Sequence, residues 1–201
     1  MPYLLRVELP DVPGSLGRLA TAIGEAGGDI EAIEIVEKRH DGTAVDDVLL
    51  ETAPGSMPDS VVSACNQLHG VHVIWISRYA QGGNLFLDLE AVEALTEEPD
   101  EALDRLIDVL PSTFRADWAA RVHRSQGVIA ATEGAPESLA FCEIERSTRL
   151  ELDDEETLYA GARLDGNEIV IIARSGGPEF LDSELARLGH LVGLAASIAR
   201  P

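Results

Sequence analysis

The first eighty residues show the apolar periodicities of short strands and amphipathic helices. Leu5, Val7 and Leu9 alternate with charged residues, which is typical of a half-buried strand. Leu19 and Ile23 recur at helical spacing until Gly27-Gly28 ends the pattern. In chain order, the predicted elements are a strand at 3–9, a helix from 16, strands at 29–39 and 44–51, a helix at 61–68 and a strand at 71–79. This β-α-β-β-α-β order predicts a ferredoxin-like fold, an antiparallel sheet with two helices on one face.

Residues 85–201 have a different pattern, in which helices flank a group of strands. The sequence predicts helices at 85–98, 100–110, 115–122 and 180–200, and strands at 127–132, 139–145, 157–164 and 168–174. Pro111 is expected to close the second helix, and the turn signal at 165–167 predicts a hairpin. Residues 169–173 are apolar on both faces, so we expect a central strand that is covered on both sides. The sequence therefore predicts a second α+β domain with a central antiparallel sheet, joined to the first by a linker at 81–84.

The last helix carries two apolar stripes, which allow two interpretations. Leu181, Leu185, Leu188 and Val192 repeat at intervals of four and three. A helix with such a wide apolar face usually packs within its own domain, although a heptad-like seam also fits a partner helix in a dimer. We expect packing within the domain, with a dimer contact as an addition.

The net charge of the chain restricts the kinds of molecule that it is expected to bind. The chain has 201 residues, of which 15 are Lys or Arg and 36 are Asp or Glu, for a net charge of −21. Nucleic acid and anionic membranes attract clusters of Lys and Arg, so we expect neither as a partner. No signal-peptide pattern follows Met1, and the longest apolar run, 191–199, is too short to span a bilayer. These features predict a cytoplasmic protein.

Candidate chemistry is sparse in this sequence. Cys65 and Cys142 lie among apolar residues, which favours two buried free thiols over a disulfide. The histidines and cysteines lack metal-ligand spacing, and the carboxylates at 153–156 are typical of a solvated turn. No nucleophile and base, separated carboxylate pair or phosphate-binding loop is recognisable. We therefore expect a protein that is not an enzyme and uses no metal or cofactor.

One motif resembles a known family. The run Asp11-Val12-Pro13-Gly14-Ser15-Leu16, followed by a helix and then by Gly28-Asp29-Ile30, is similar to that of ACT domains, which are small-molecule-sensing regulatory modules. The resemblance covers residues 1–80. It implies binding of an amino acid, often across the interface between two ACT units, and hence a homodimer. The ligand-binding residues that it implies are Asp11, Val12, Pro13, Gly14, Ser15, Leu16, Asp29 and Ile30.

Physical chemistry supports such a site independently of the family. Gly14 allows close approach to the backbone, and N–H groups at a helix start suit an α-carboxylate. Asp11 is suited to an α-ammonium group. The alternative is a plain strand-to-helix turn in which Asp11 or Ser15 is the N-cap. Asp29 stands where many relatives carry Asn; because a carboxylate only accepts hydrogen bonds, it favours an ammonium group, or it caps a turn.

Residues 85–201 resemble a GAF domain, chiefly through the run from Ile171 to Phe180 and the Asp182-x-Glu184-Leu185 pattern that follows. Together the two resemblances imply a regulatory sensor in which ligand binding to the first domain biases the second. The alternative is a regulatory subunit of a biosynthetic enzyme of the acetolactate synthase small-subunit type, which also carries an N-terminal ACT domain.

Overall fold

The computed structural model describes residues 2–53, 55–78, 83–152 and 156–200. It divides into two compact units, Met1–Gln81 and Gly82–Pro201. Two parts of the predictions, the linker residues 81–82 and the carboxylates 153–155, lie outside the described residues. None of the helices in the described ranges combines the length and apolar character needed to cross a bilayer.

The first unit has the predicted ferredoxin-like topology. Its elements are β1 (Pro2–Pro10), α1 (Ser15–Glu25), β2 (Gly28–Lys38), β3 (Thr43–Thr52), α2 (Pro58–Asn66) and β4 (His72–Arg78). The four strands form one sheet in the order β2-β3-β1-β4, and every neighbouring pair is antiparallel. β2 is therefore an edge strand.

The core of this unit forms between one face of the sheet and the two helices. Alternate residues of β1 and β3 pack against the apolar faces of α1 and α2. Burial of this apolar surface is the main force that holds the helices on the sheet. Gly28 is required at the start of β2, because a Cβ there would lie 2.7 Å from a methyl group of Ile23. The predicted strand and helix periodicities of this unit are confirmed.

The second unit is also α+β. Its elements are α3 (Gly83–Glu97), a 3-10 turn (Pro99–Glu101), α4 (Ala102–Phe114), β5 (Trp118–His123), β6 (Gly127–Ala131), β7 (Thr148–Leu150), β8 (Thr157–Arg163), β9 (Glu168–Ser175) and α5 (Asp182–Ile198). The sheet is antiparallel, with the order β6-β5-β9-β8-β7. α3 already includes Gly83 and Asn84, the last two residues of the predicted linker.

Both faces of this second sheet are covered. Val170 and Ile172 of β9 pack in a cluster with α3, α4 and α5. Ile169 and Ile171 pack on the other face, against a segment that contains Leu139 and Phe141. β9 is therefore the central, doubly covered strand that the sequence predicts.

Two predicted elements around α4 are wrong. Pro111 does not close α4, which continues to Phe114 and ends where Arg115 adopts a left-handed conformation at φ 49°. The predicted helix at 115–122 is instead the strand β5. Trp118 and Val122 lie four residues apart, as on a helix face, but with Ala120 they also share one face of a strand. The pairing of β5 with β9 decides in favour of the strand.

The predicted strand at 139–145 is also wrong, since these residues form no regular secondary structure. Leu139, Phe141 and Ile144 pack against the face of the sheet instead of joining its edge. β7 takes the edge position beside β8. Cys142 belongs to this segment and is half-exposed, so the prediction of a buried thiol is wrong for Cys142, whereas Cys65 is buried; both are free.

The final helix packs within its own unit, as expected. Leu188, Val192 and Ala195 of α5 are fully buried in the cluster shared with α3 and α4. Leu194 and Ile198, from the second apolar stripe, are partly buried against the same cluster. Packing within the unit therefore uses both stripes.

Candidate functional site

The β1–α1 loop, residues 11–16, carries most of the predicted ligand-binding residues. Gly14 is the N-cap of α1 and has φ 89°, in the left-handed region that favours glycine. Asp11 and Ser15 provide no side-chain cap, so the interpretation of either as the N-cap is wrong. The loop is exposed except at Ser15, and Val12 and Leu16 are 53% and 36% accessible. Its backbone is therefore open to a ligand.

The start of α1 offers backbone N–H groups. The N–H of Ser15 donates to the carbonyl oxygen of Val12 at 3.1 Å. Within the described ranges, the structure shows no hydrogen bond from the N–H of Leu16 or Gly17 to an acceptor. The first turn also contains no acidic residue. These donors and the positive end of the helix dipole suit a carboxylate.

Asp11, the predicted partner for an ammonium group, already has a cation beside it. Lys38 Nζ at the end of β2 lies 3.0 Å from Asp11 Oδ2, and both side chains are well exposed. An exposed pair of this kind contributes little to stability, so a ligand ammonium group can displace the lysine at small cost. Lys38 is the only lysine of the chain, but only the fold places it beside the loop.

Asp29 and Ile30 lie far from this loop within one chain. Leu9 and Lys38 both pair with Ala44, which puts the end of β2 level with the β1–α1 loop. Asp29 pairs with Glu51, seven residues further along β3. At about 3.3 Å per residue, this separation is about 23 Å. The structure therefore brings residues 11–16 together and places the Asp29–Ile30 pair at the opposite end of the sheet.

A groove of about 430 Å³ runs from Gly14 along the exposed side of α1. Its lining includes Arg18 and Glu25, with Leu68 at its far side. Arg18 donates to the Ser15 hydroxyl at 3.1 Å. Sequence reasoning missed Arg18, although its position one turn after Gly14 was the available signal.

A buried carboxyl lies near the same end of the sheet. Asp46 of β3 pairs with Val7 on the face covered by the helices and is 1% exposed. Its Oδ1 has no hydrogen-bond partner among the described residues. Burial is the main cause that raises the pKa of Asp46 to about 6; the negative charges of Asp11 and Asp47 contribute in the same direction, and Lys38 opposes them. Asp46 was missed, although it falls on the apolar phase of β3.

Side chains of the types that bind metal ions are scattered over the described residues. Over the part of the chain that the structure describes, no group of three or more His, Cys, Asp or Glu side chains is close enough to hold a metal ion. The loop instead combines backbone donors, a carboxylate and an exposed cation.

An ACT domain family model matches residues 3–61. The matched range contains both predicted parts of the site, the β1–α1 loop and the Asp29–Ile30 pair. Among curated proteins, NAD-dependent malic enzyme 1 of Bacillus subtilis (strain 168) is 61% identical over 33 residues. That stretch is 16% of this chain and 8% of the enzyme, so the chain spans only a small part of that relative.

Two of the solved structures to which the chain is similar are GAF domains. One is from an Acinetobacter phosphoenolpyruvate-protein phosphotransferase, with 9% identity, a TM-score of 0.44 and coverage of 57% of this chain and 91% of that one. The other is from a proposed sensor histidine kinase of Pseudomonas syringae pv. tomato, with 15% identity, the same TM-score of 0.44 and coverage of 56% and 83%. The similarity is one of fold and, at these scores, a loose one.

Proposed function

We propose that this protein is a regulatory sensor, without catalytic activity, that binds an amino acid or a similar small metabolite through residues 1–80 and works as a homodimer. The ACT family match over residues 3–61 supports a regulatory module that binds small molecules. The observation that carries the proposal is the separation of the β1–α1 loop from Asp29, because a second copy can bring the two together.

The edge strand β2 is suited to pairing with its counterpart in a second copy. It is eleven residues long and exposed along most of its length. Ile33 and Ile35 are 36% and 46% accessible, which is unusual for isoleucines on a sheet edge. Antiparallel pairing of two β2 strands about a two-fold axis places the start of one beside the end of the other. Asp29 of one copy then lies near Lys38 and the β1–α1 loop of the other.

The chemistry of this composite site fits a zwitterion. The N–H groups of Leu16 and Gly17 would bind the α-carboxylate, while Asp11 and Asp29 of the second copy would accept hydrogen bonds from the ammonium group. The net charge of −21 disfavours dianions and leaves zwitterionic and cationic amino acids as the expected ligands. Binding would favour the paired arrangement by its differential affinity for it.

A thermal-shift screen of the twenty amino acids tests the ligand class. An amino acid at one hundred times its dissociation constant should stabilise the protein by about 2.7 kcal/mol, which is several degrees. Gly14→Val should abolish the shift, because the loop loses its φ of 89°. Gly127→Val is the matched control, since Gly127 has φ 75° and an equally open surrounding but lies in the second unit. No shift with any amino acid, or an equal shift in Gly14→Val, would contradict the proposal.

Sedimentation equilibrium tests the dimer. Ile35→Lys places a charge on the exposed edge of β2 and should convert dimer into monomer, with loss of the ligand-induced thermal shift. Leu89→Lys is the control, because Leu89 is 60% accessible and belongs to α3 of the second unit. A wild-type monomer, or a dimer that Ile35→Lys leaves intact, would rule out pairing through β2.

A further inference from the structure

We infer that the first unit has a second binding site, at the end of the sheet away from the β1–α1 loop, which takes a small organic carboxylate. A cavity of about 590 Å³ opens there between the sheet and the start of α2. Tyr3, Thr52 and Arg78 supply its polar lining. The site lies within one copy of the chain and does not need the proposed dimer.

Strand register explains why these three side chains meet. Tyr3 of β1 pairs with Leu50 of β3 on one side and with Arg78 of β4 on the other. Thr52 follows Leu50 by two residues and therefore points to the same face of the sheet. All three lie on the face that carries α2, at the ends of their strands.

Two of these side chains belong to largely buried residues whose hydroxyl groups face the cavity. Tyr3 is 8% and Thr52 9% exposed. Within the residues that the structure describes, neither hydroxyl has a hydrogen bond, and the two line the cavity together. Both hydroxyls are accessible from the cavity and free to donate. A ligand with acceptor oxygens would receive hydrogen bonds from them.

Arg78 makes the site cationic in a strongly acidic chain. Its guanidinium has no ion pair or hydrogen bond to any described residue. Two other cations of this unit do form ion pairs. Arg39 pairs with Glu8 and Glu37, and Lys38 pairs with Asp11. A guanidinium free to form two parallel hydrogen bonds is the preferred protein partner of a carboxylate.

The other residues that line the cavity restrict the charge and shape of the ligand. α2 is nine residues long and has no side-chain cap at Met57, so its N-terminus adds a positive dipole. Asp59 in its first turn adds a negative charge, which favours a monoanion over a phosphate dianion. Ala53, Met57 and Pro58 form an apolar wall. The expected ligand is therefore a monocarboxylate with a short apolar body.

The test is a titration of the full chain with sodium isovalerate at constant ionic strength, in which the amide chemical shifts are measured at each concentration. Isovaleramide, which has the same shape without the charge, is the control ligand. Isovalerate should give saturable shifts centred on β1, β4 and the start of α2. Arg78→Gln should weaken binding by about tenfold or more, and Tyr3→Phe, which keeps the ring in the core, by about fivefold. Arg105→Gln, at an exposed arginine of the second unit, should leave it unchanged.

Three outcomes would overturn the inference: no saturable shift with isovalerate, equal binding of isovaleramide, or unchanged affinity in Arg78→Gln with a native spectrum. Tyr3→Phe gives a second readout in case Arg78→Gln perturbs β4. Ile35→Lys separates this site from the proposed function, because it should abolish the response to an amino acid at the composite site and leave isovalerate binding intact.

Discussion

The two units each contain one antiparallel sheet and one buried arginine–carboxylate pair, yet they satisfy their polar groups to different degrees. In the second unit, the Arg174 guanidinium donates to Glu184 Oε1 at 2.9 Å and to the carbonyl oxygens of Phe114 and Pro178 at 2.7 and 2.8 Å. It also lies over the ring of Phe180, 4.1 Å from the ring centre. One side chain thus joins the end of α4, the segment after β9 and the start of α5.

In the first unit, the buried pair is similar but its neighbours are not. Arg6 forms two hydrogen bonds with Asp47, at 2.7 and 2.9 Å. The next residue, Asp46, has a buried oxygen without a partner, and Arg78 has no ion pair among the described residues. β2 is also left as an exposed edge. The second unit also has a buried nitrogen without a hydrogen bond, Arg121 Nε, but this atom lies 3.3 Å from Glu168 Oε2 in an ion pair. The difference between the units is therefore that Asp46 and Arg78 of the first unit have no ion pair among the described residues.

The largest effect is expected from Arg174→Leu. It leaves Glu184 buried without its cation and removes the donors to two carbonyl oxygens, so the free energy of unfolding of the second unit should fall by about 3–5 kcal/mol. Urea denaturation in a Trp75→Phe background measures this, because the remaining tryptophan, Trp118, lies in the second unit. The control is Arg149→Leu, whose exposed pair with Asp182 should contribute less than about 1 kcal/mol. Equal effects of the two variants would refute the proposed difference between the units.

A smaller, opposite effect is expected from Asp46→Asn. The pKa of Asp46 is raised from 3.8 to about 6 in the folded state, so the folded protein binds the proton more tightly than the unfolded chain. The contribution of Asp46 to stability is therefore most favourable below about pH 4, and it is lost as the pH rises through 6, by roughly 3 kcal/mol. Asp46→Asn should recover about 2 kcal/mol at pH 8 and flatten this dependence.

The measurement is urea denaturation of the first unit at pH 5 and pH 8, in a Trp118→Phe background that leaves Trp75 as the probe. Asp41→Asn is the control: it should destabilise the first unit to the same extent at pH 5 and at pH 8. Hydrogen bonds from Thr43 lower the pKa of Asp41, so its contribution is present above pH 4 and is lost as the pH falls. Destabilisation by Asp46→Asn at pH 8 would show that the buried oxygen has a partner after all.

The sequence predicts most elements of both units, because their apolar periods are regular. It fails at 115–122 and 139–145, where the same pattern fits more than one structure. Trp118 and Val122 fit both a helix and a strand, and only pairing with β9 distinguishes them. Leu139 and Phe141 alternate like a strand but lie on the face of a sheet whose edge β7 already occupies.

The candidate sites were predictable to different extents. The β1–α1 loop is marked by a local motif, so its residues could be named in advance. The sequence indicated Asp46 less clearly, as an acidic residue at a position of β3 where the alternation predicts an apolar one. It did not indicate Arg78, because the position of Arg78 beside Tyr3 depends on the register of β1 with β4, which are separated by most of the unit in sequence.

The smallest effect concerns the two thiols, one in each unit. For these groups it is the first unit that has the buried side chain and the second unit that has the accessible one. Cys65 in the first unit is fully buried, and burial raises the pKa of its thiol to about 11. Cys142 in the second unit is half-exposed, with its Sγ 3.7 Å from the Ala140 carbonyl oxygen. Because thiolates are the reactive form, Ellman's reagent should label Cys142 quickly and Cys65 only after unfolding. Labelling should hardly change the Tm, and Cys142→Ser should remove the fast phase. A fast phase that survives this substitution would show that the first unit opens more readily than its core indicates, and that its free polar groups reflect a loose fold instead of binding sites.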